Sequence, residues 1–246
     1  MDNDKISRES YKKDTDIFGK LAKHEDYQRN LSHHIKTILG DNNNLVLLEA
    51  GAGLGRHIPD YLEHCKSIYL TDLNESMINR CREKYNDRTN MKWFQLDHGN
   101  LGSIPVEESI DVILGTYTFG HFICACDDGP KCAYQHLVRE FLKIRHTKDT
   151  EIIISEVSSI NNNDITEDPR LSEYYACLTR DFGQPQSIST DFKFENAQEA
   201  SHIMGRFFGK EAENDIRSAN VENKNQSITI PESTYLWRTK LIRLLD

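Results

Sequence analysis

Chemistry concentrates between Glu49 and Arg56, where Glu49-Ala50-Gly51-Ala52-Gly53-Leu54-Gly55-Arg56 closes the apolar run LVLLEA (45–50). Glycines at alternate positions let a chain turn sharply and pass close to a ligand, and a helix opening behind them offers free N–H groups. The spacing is G-x-G-x-G, which is not the G-x-G-x-x-G dinucleotide fingerprint, and no G-x-x-x-x-G-K-S/T run provides a P-loop. Two acids follow at intervals. Asp72, in YLTDLNESM, lies 21 residues after Gly51, the usual interval from a glycine turn to an acid that binds ribose hydroxyls. A carboxylate accepts from both hydroxyls at once, which neutral side chains copy poorly. The same residue also stands where an N-cap would serve a helix opening near Glu75. Asp97, in FQLDHGNL, reads from its surroundings as the acid of a turn.

A third segment, Gly115-Thr116-Tyr117-Thr118-Phe119-Gly120-His121-Phe122, ends another apolar run. In an open α/β sheet the ligand crevice lies outside the carboxyl ends of the strands. His121 is the candidate general base, because an imidazole titrates near neutrality; a packed or helix-capping histidine is the plain alternative. Tyr117 is placed to orient an acceptor or to line the pocket. His121, Cys124, Cys126 and Cys132 gather four soft ligands, yet the usual C-x2-4-C pair is missing and Asp127-Asp128-Gly129-Pro130 reads as a turn. No metal is expected, and free cysteines are.

These residues need elements to hold them. LVLLEA (45–50), SIYLTD (67–72), MKWFQL (91–96), SIDVILGTYTF (109–119) and EIIISEV (151–157) read as strands. RHIPDYLEHCK (56–66), ESMINRCREKY (75–85) and CAYQHLVREFLKI (132–144) read as the helices between them. Short apolar runs alternating with amphipathic helices predict βαβ units, hence a doubly wound α/β sheet covered on both faces. The Asn runs at 42–44 and 161–163 read as loops. No Pro/Gly/Ser linker intervenes, so a single domain is expected over 1–246, with an N-terminal helical cap (1–44), a core (45–157) and C-terminal additions (158–246). In that last part SEYYACLTRDFG (172–183) is helical, QSISTDFKFE (186–195) alternates like a strand, 197–219 is helical with a break near Gly209, and Pro231 interrupts strand-like alternation over 227–245.

The spacing of these motifs resembles the class I S-adenosylmethionine (SAM) dependent methyltransferases. Their first motif, E/D-x-G-x-G-x-G at the end of the first strand, is matched by Glu49, Gly51, Gly53 and Gly55. An acid ending the second strand is matched by Asp72, one after the third strand by Asp97, and the Asp that opens the fourth strand by Asp111. The resemblance covers residues 45–157. It implies a Rossmann-like, mostly parallel seven-stranded sheet with its last strand antiparallel, SAM as cofactor and S-adenosylhomocysteine as product. It also implies a cofactor site at Glu49, Gly51, Ala52, Gly53, Gly55, Arg56, Asp72, Leu73, Asp97, His98, Gly115 and Thr116. Two departures are evident. A Pro-Gly-Gly-type turn before the fifth strand is replaced by Arg145–Thr150, and the Asn/Asp-Pro-Pro-Tyr/Phe tetrapeptide of amino-methylating nucleic-acid enzymes is missing.

With 39 acidic against 30 basic residues the net charge is −9, so the basic field that drives general nucleic-acid binding is missing. Six cysteines in 246 residues are too few for a disulfide scaffold. No apolar run has the length of a signal peptide or membrane span, and a cytoplasmic protein with no membrane or nucleic-acid partner is expected. The acceptor side falls to the additions, where Tyr11, Phe18, Tyr27, Tyr174, Tyr175, Phe207, Phe208, Tyr235 and Trp237 concentrate aromatic surface. Tyr11, Tyr27, Arg206, Glu232 and Trp237 are the substrate candidates, with Arg238 a further cation to test. The expected reaction is in-line methyl transfer to O or N of a small organic or amino-acid-like molecule. Alternatives are N-terminal amine methylation of a protein, SAM chemistry at the aminobutyrate chain, and a non-catalytic SAM-binding module.

Overall fold

The computed structural model describes residues 15–219 and 226–245. Two N-terminal helices, α1 (Thr15–His24) and α2 (Asn30–Leu39), precede β1 (Leu45–Ala50), whose six residues are all buried. A strand buried on both faces has to be apolar throughout, which is how LVLLEA reads. Then follow a single-turn α3 (Ile58–Tyr61), β2 (Cys65–Asp72), α4 (Glu75–Lys84), β3 (Met91–Gln95), β4 (Ile110–Thr116), α5 (Phe119–Ala125), α6 (Pro130–Lys143) and the long β5 (His146–Ile160). After a two-residue β6 (Asn163–Asp164) come α7 (Pro169–Phe182), β7 (Gln186–Ser189), β8 (Phe192–Phe194), α8 (Ala197–Phe208), α9 (Lys210–Ala219), β9 (Ile228–Ile230) and β10 (Glu232–Lys240).

The main sheet runs β3-β2-β1-β4-β5-β10-β7, with β6 attached to the end of β5. The pairs from β3 through β5 are parallel, and β10 is antiparallel to both β5 and β7. This is the expected doubly wound sheet of seven strands with its last strand reversed. The order places the carboxyl ends of β1, β2 and β4 at one edge, together with the start of β10. Among the described residues no helix is long and apolar enough to cross a membrane.

Several element boundaries differ from the sequence reading for local reasons. The helix expected over 56–66 shrinks to α3 and a 3-10 turn (Leu62–His64), because Cys65 already pairs with Leu45 in the sheet. The fourth strand stops at Thr116 rather than 119. Tyr117 takes a left-handed φ of +54°, and Phe119 already belongs to α5. The stretch 186–195 divides at Thr190-Asp191 into β7 of the main sheet and β8 of a small β8–β9 ribbon. Pro231 lies at the corresponding corner between β9 and β10, where no ladder N–H is lost. Helix α7 ends at Gly183 (φ +88°) and α8 at Gly209 (φ +97°), both C-terminal turns that suit a residue lacking Cβ.

Three buried clusters organise the packing. Val46, Leu48 and Ile113 pack with α5, α6 and α7, while Leu47, Leu114 and Ile153 pack with α2, Ile58 and Tyr61 on the other face. The third cluster joins Ile17 and Leu21 of α1 to Ile203, Met204 and Phe207 of α8 and to Phe192, Phe194 and Ile230 of the ribbon. The N-terminal and C-terminal additions therefore share one core beside the sheet.

Candidate active site

The glycine loop is anchored to the sheet by its own backbone. Gly51 N and Ala52 N both donate to Thr71 O, at 2.9 and 2.8 Å. Gly51 (φ +75°) adopts a conformation that favours glycine, and a Cβ there would sit 2.0 Å from Thr118 Oγ1. The loop can thus lie flush against the end of β4 only because Gly51 has no side chain. Gly53 faces α1 instead, with the Phe18 ring 3.5 Å from its Cβ position, and Gly55 packs against Cys81 and Ile58.

Asp72 fastens the loop from β2. Its Oδ2 accepts from Gly53 N and its Oδ1 from Asn74 N, both at 2.8 Å, while Asn74 supplies the N-cap of α4. The N-cap alternative for Asp72 therefore gives way to a loop-bracing carboxylate, and each of its oxygens keeps a further lone pair for a ligand. Burial pushes this carboxyl up against the pull of those two N–H groups. Leu73, next in the chain, is 55% exposed, an apolar surface at the site's lip. Asp97 makes the turn contact, accepting from Gly99 N at 2.8 Å. His98 is neutral, because burial pushes it down to about 4, and its Nε2 meets Thr118 Oγ1 at 2.8 Å. Its Nδ1 is buried without a hydrogen-bond partner among the described residues.

Glu49 is buried beneath the loop. Tyr61 Oη donates to its Oε2, and burial raises its carboxyl to about 8. Gly115 and Thr116 end β4, where a Cβ on Gly115 would strike the Phe119 ring at 2.1 Å. Tyr117 N donates to Ser155 O at 2.8 Å, and the left-handed turn carries the phenol toward β10, where its oxygen meets Thr234 Oγ1 at 2.9 Å. Burial holds that phenol far above its ordinary value, so Tyr117 serves as a neutral hydrogen-bonding group rather than a base. His121 lies on α5, near enough to His98 to add to the lowering that burial imposes on that ring. Glu156, which the sequence did not single out, takes Gly120 N at 2.9 Å and is raised by burial to about 7.

Arg56 is the junction with the additions. Its Nη1 donates to Glu25 Oε2, just past α1, and its guanidinium stands 5.1 Å from the centroid of the Tyr117 ring. Glu232, at the start of β10, is 3% exposed and interacts with Arg56, Glu25 and Thr190. Glu25, Thr118, Thr190 and Thr234 carried no motif, since each joins the site only through tertiary contact.

Other candidates lie elsewhere. Trp237 is five residues along β10 from Glu232, roughly 17 Å at strand rise. It is a core residue against Tyr175, with its Nε1 3.4 Å from Thr179 Oγ1. Arg238 pairs with Glu151 at 2.6 Å across the β10–β5 ladder, away from Glu232. Arg206 is exposed on α8, and Tyr27 is 39% exposed beneath the Lys193 ammonium. Tyr11 lies outside the described residues. All six cysteines are free thiols, and among the described residues no group of three His, Cys, Asp or Glu could hold a metal ion. Asp111, the family-like acid of β4, accepts from Val46 N at 2.8 Å at the strand's opposite end, which makes it a structural acid.

The chemistry of this set fits SAM: a glycine cradle without side chains, strand-end acids at Asp72 and Asp97, and buried polar atoms at Arg56 Nη2 and His98 Nδ1 with no partner among the described residues. A model of the methyltransferase-domain family matches residues 48–140. Among curated proteins none matches the chain. Solved structures share the fold at low identity. The YcgJ protein of Bacillus subtilis is 15% identical, covering 84% of this chain and 97% of its own, with a TM-score of 0.52. A methyltransferase-type protein of Bacillus halodurans C-125 is 12% identical, with coverages of 85% and 98% and a TM-score of 0.55. The 4+2 cyclase SpnF is 10% identical over 97% of both chains, with a TM-score of 0.55. The family match over residues 48–140 and the shared fold place a methyltransferase-type domain of Rossmann-like fold in this part of the chain.

Proposed function

We propose that this domain methylates an oxygen or nitrogen of a small organic or amino-acid-like molecule. The observation that carries this reading is the enclosure of the acceptor edge. Helix α1 sets Phe18 on the glycine loop, Glu25 ties the end of that helix to Arg56, and β10 brings Glu232 to the carboxyl end of β5, beyond the end of β4. A sheet edge covered on these sides suits a small molecule better than a duplex or a folded protein surface.

SAM supplies an electrophilic methyl group on a sulfonium, and alignment of the acceptor is the main catalytic demand. The chain's residues divide that work. Asp72, Asp97 and the glycine backbone position the cofactor; Tyr117, held by Ser155 O and Thr234, walls the acceptor side; His121 is the proposed proton acceptor. The remaining residues of 158–246 serve as acceptor-side additions in this reading.

The test is incubation with methyl-labelled SAM and separated pools of small metabolites, RNA, DNA and protein. Label is expected in the small-molecule pool. Label confined to RNA, DNA or protein overturns the acceptor class, and SAM binding without any methylated product overturns the reaction.

A further inference from the structure

We propose that Glu232, with Glu25, Arg56 and Tyr117, forms a subsite that recognises the acceptor through a protonated amine. This rests on the small-molecule reading above and names the chemistry that reading leaves open. The cluster lies at the active edge of the sheet, because Tyr117 follows the last residue of β4 and Glu232 opens β10 beside the end of β5, paired with Ile160. Two carboxylates face one guanidinium there, and one edge of that guanidinium is already committed to Glu25. Asp191, whose Oδ1 accepts from Glu232 N at 2.9 Å, adds a third acid nearby. The local balance is therefore acidic.

Glu232 is 97% buried, and among the described residues its Oε2 has no hydrogen-bond partner. Thr190 and Glu25 reach the Glu232 carboxyl, and Thr234 Oγ1 is taken up by Tyr117 Oη at 2.9 Å and Thr190 Oγ1 at 2.8 Å, which leaves Oε2 without a donor among the described residues. A buried acceptor oxygen without a donor is unfavourable until one arrives. In the isolated chain burial and the Glu25 carboxylate hold Glu232 well above the ordinary carboxyl range, so a proton supplies the missing positive charge. An ammonium replaces that proton as counter-charge and brings N–H donors for Oε2. An anionic acceptor meets repulsion from the acids, and an alcohol supplies one donor and no charge. The Tyr117 ring forms an aromatic wall already faced by a cation, Arg56.

The experiment is calorimetry on the full chain saturated with S-adenosylhomocysteine, using matched probes: phenethylamine, phenethyl alcohol and phenylacetate, and the n-butyl trio. The amine of each trio should bind at least tenfold more tightly than its alcohol, with the carboxylate weakest. Glu232→Gln should erase that preference while SAM affinity stays within twofold. Equal affinity across a trio in the wild type, preference for the carboxylate, or an amine preference surviving in E232Q overturns the subsite. Failure of the wild-type chain to bind SAM would instead overturn the methyltransferase reading, and the subsite with it. The wild-type comparison decides the matter even where E232Q does not fold.

Discussion

Replacing Glu49 by Gln should make the protein more stable at neutral and alkaline pH. Glu49 is 1% exposed, close to Asp60 and Asp72, and its carboxyl is raised from an ordinary 4.5 to about 8. A group that keeps its proton to about 8 in the fold but loses it near 4.5 in the unfolded chain makes stability fall as pH rises between those values. The unfolded chain releases its proton first, so each pH unit in that window costs roughly 1.4 kcal/mol. From pH 5 to pH 8 the loss from this one residue is roughly 4 kcal/mol, and it levels off above the folded value. A Gln side chain does not titrate, and its amide oxygen can still accept from Tyr61 Oη, the bond that Glu49 Oε2 now receives. Urea denaturation of both proteins at pH 5, 6.5 and 8 measures the effect. The stability of E49Q minus that of the wild type should widen by at least about 2 kcal/mol between pH 5 and pH 8. Taking the difference cancels those raised acids that do not act on Glu49, namely Asp26, Glu156 and Glu232, which are common to both proteins. Denaturation curves that stay parallel across this range would refute the reasoning, because Glu49 would then titrate alike in both states.

Two further substitutions separate the site from its scaffold. Gly51→Ala places a Cβ 2.0 Å from Thr118 Oγ1 on a left-handed backbone, so a loss of about 2 kcal/mol in stability is expected from the backbone strain and the forced shift. SAM affinity should fall more than tenfold by calorimetry, and an unchanged affinity would remove Gly51 from the cradle. Asp111→Ala removes the acceptor of Val46 N, so denaturation should show a loss of about 1–2 kcal/mol. Its SAM affinity should stay within twofold, since the residue lies at the strand end opposite the glycine loop; a large loss of affinity would return Asp111 to the cofactor site.

The sheet and the cofactor edge were legible because each rests on a local pattern. LVLLEA is apolar throughout since β1 is buried on both faces, and glycines at 51, 53 and 55 sit at left-handed φ immediately after it. The acids at 72 and 97 fall where strands end; the interval from Gly51 located the first, and the resemblance to the methyltransferases the second. The boundary at Thr116 was not legible. Nothing local tells a reader that Tyr117 turns left-handed, and the alternation simply continues to Phe119.

The proposed acceptor side was less legible for a topological reason. Its core joins α1 to α8 and the β8–β9 ribbon, segments that begin nearly two hundred residues apart, and a packing contact of that range leaves no periodicity in either. Strand direction then decides which of the flagged residues reach the site. Because β10 runs antiparallel to β5, Glu232 pairs with Ile160 beyond the end of β4, while Trp237 and Arg238 lie roughly 17–20 Å further along β10, opposite Ile154 and Ile153 within the sheet. Sequence proximity of these three residues suggested one site; a reversed strand distributes them along the sheet. The same reversal brings Glu232 to Glu25 and Arg56, so the acidic cluster owes its position to the topology rather than to any motif.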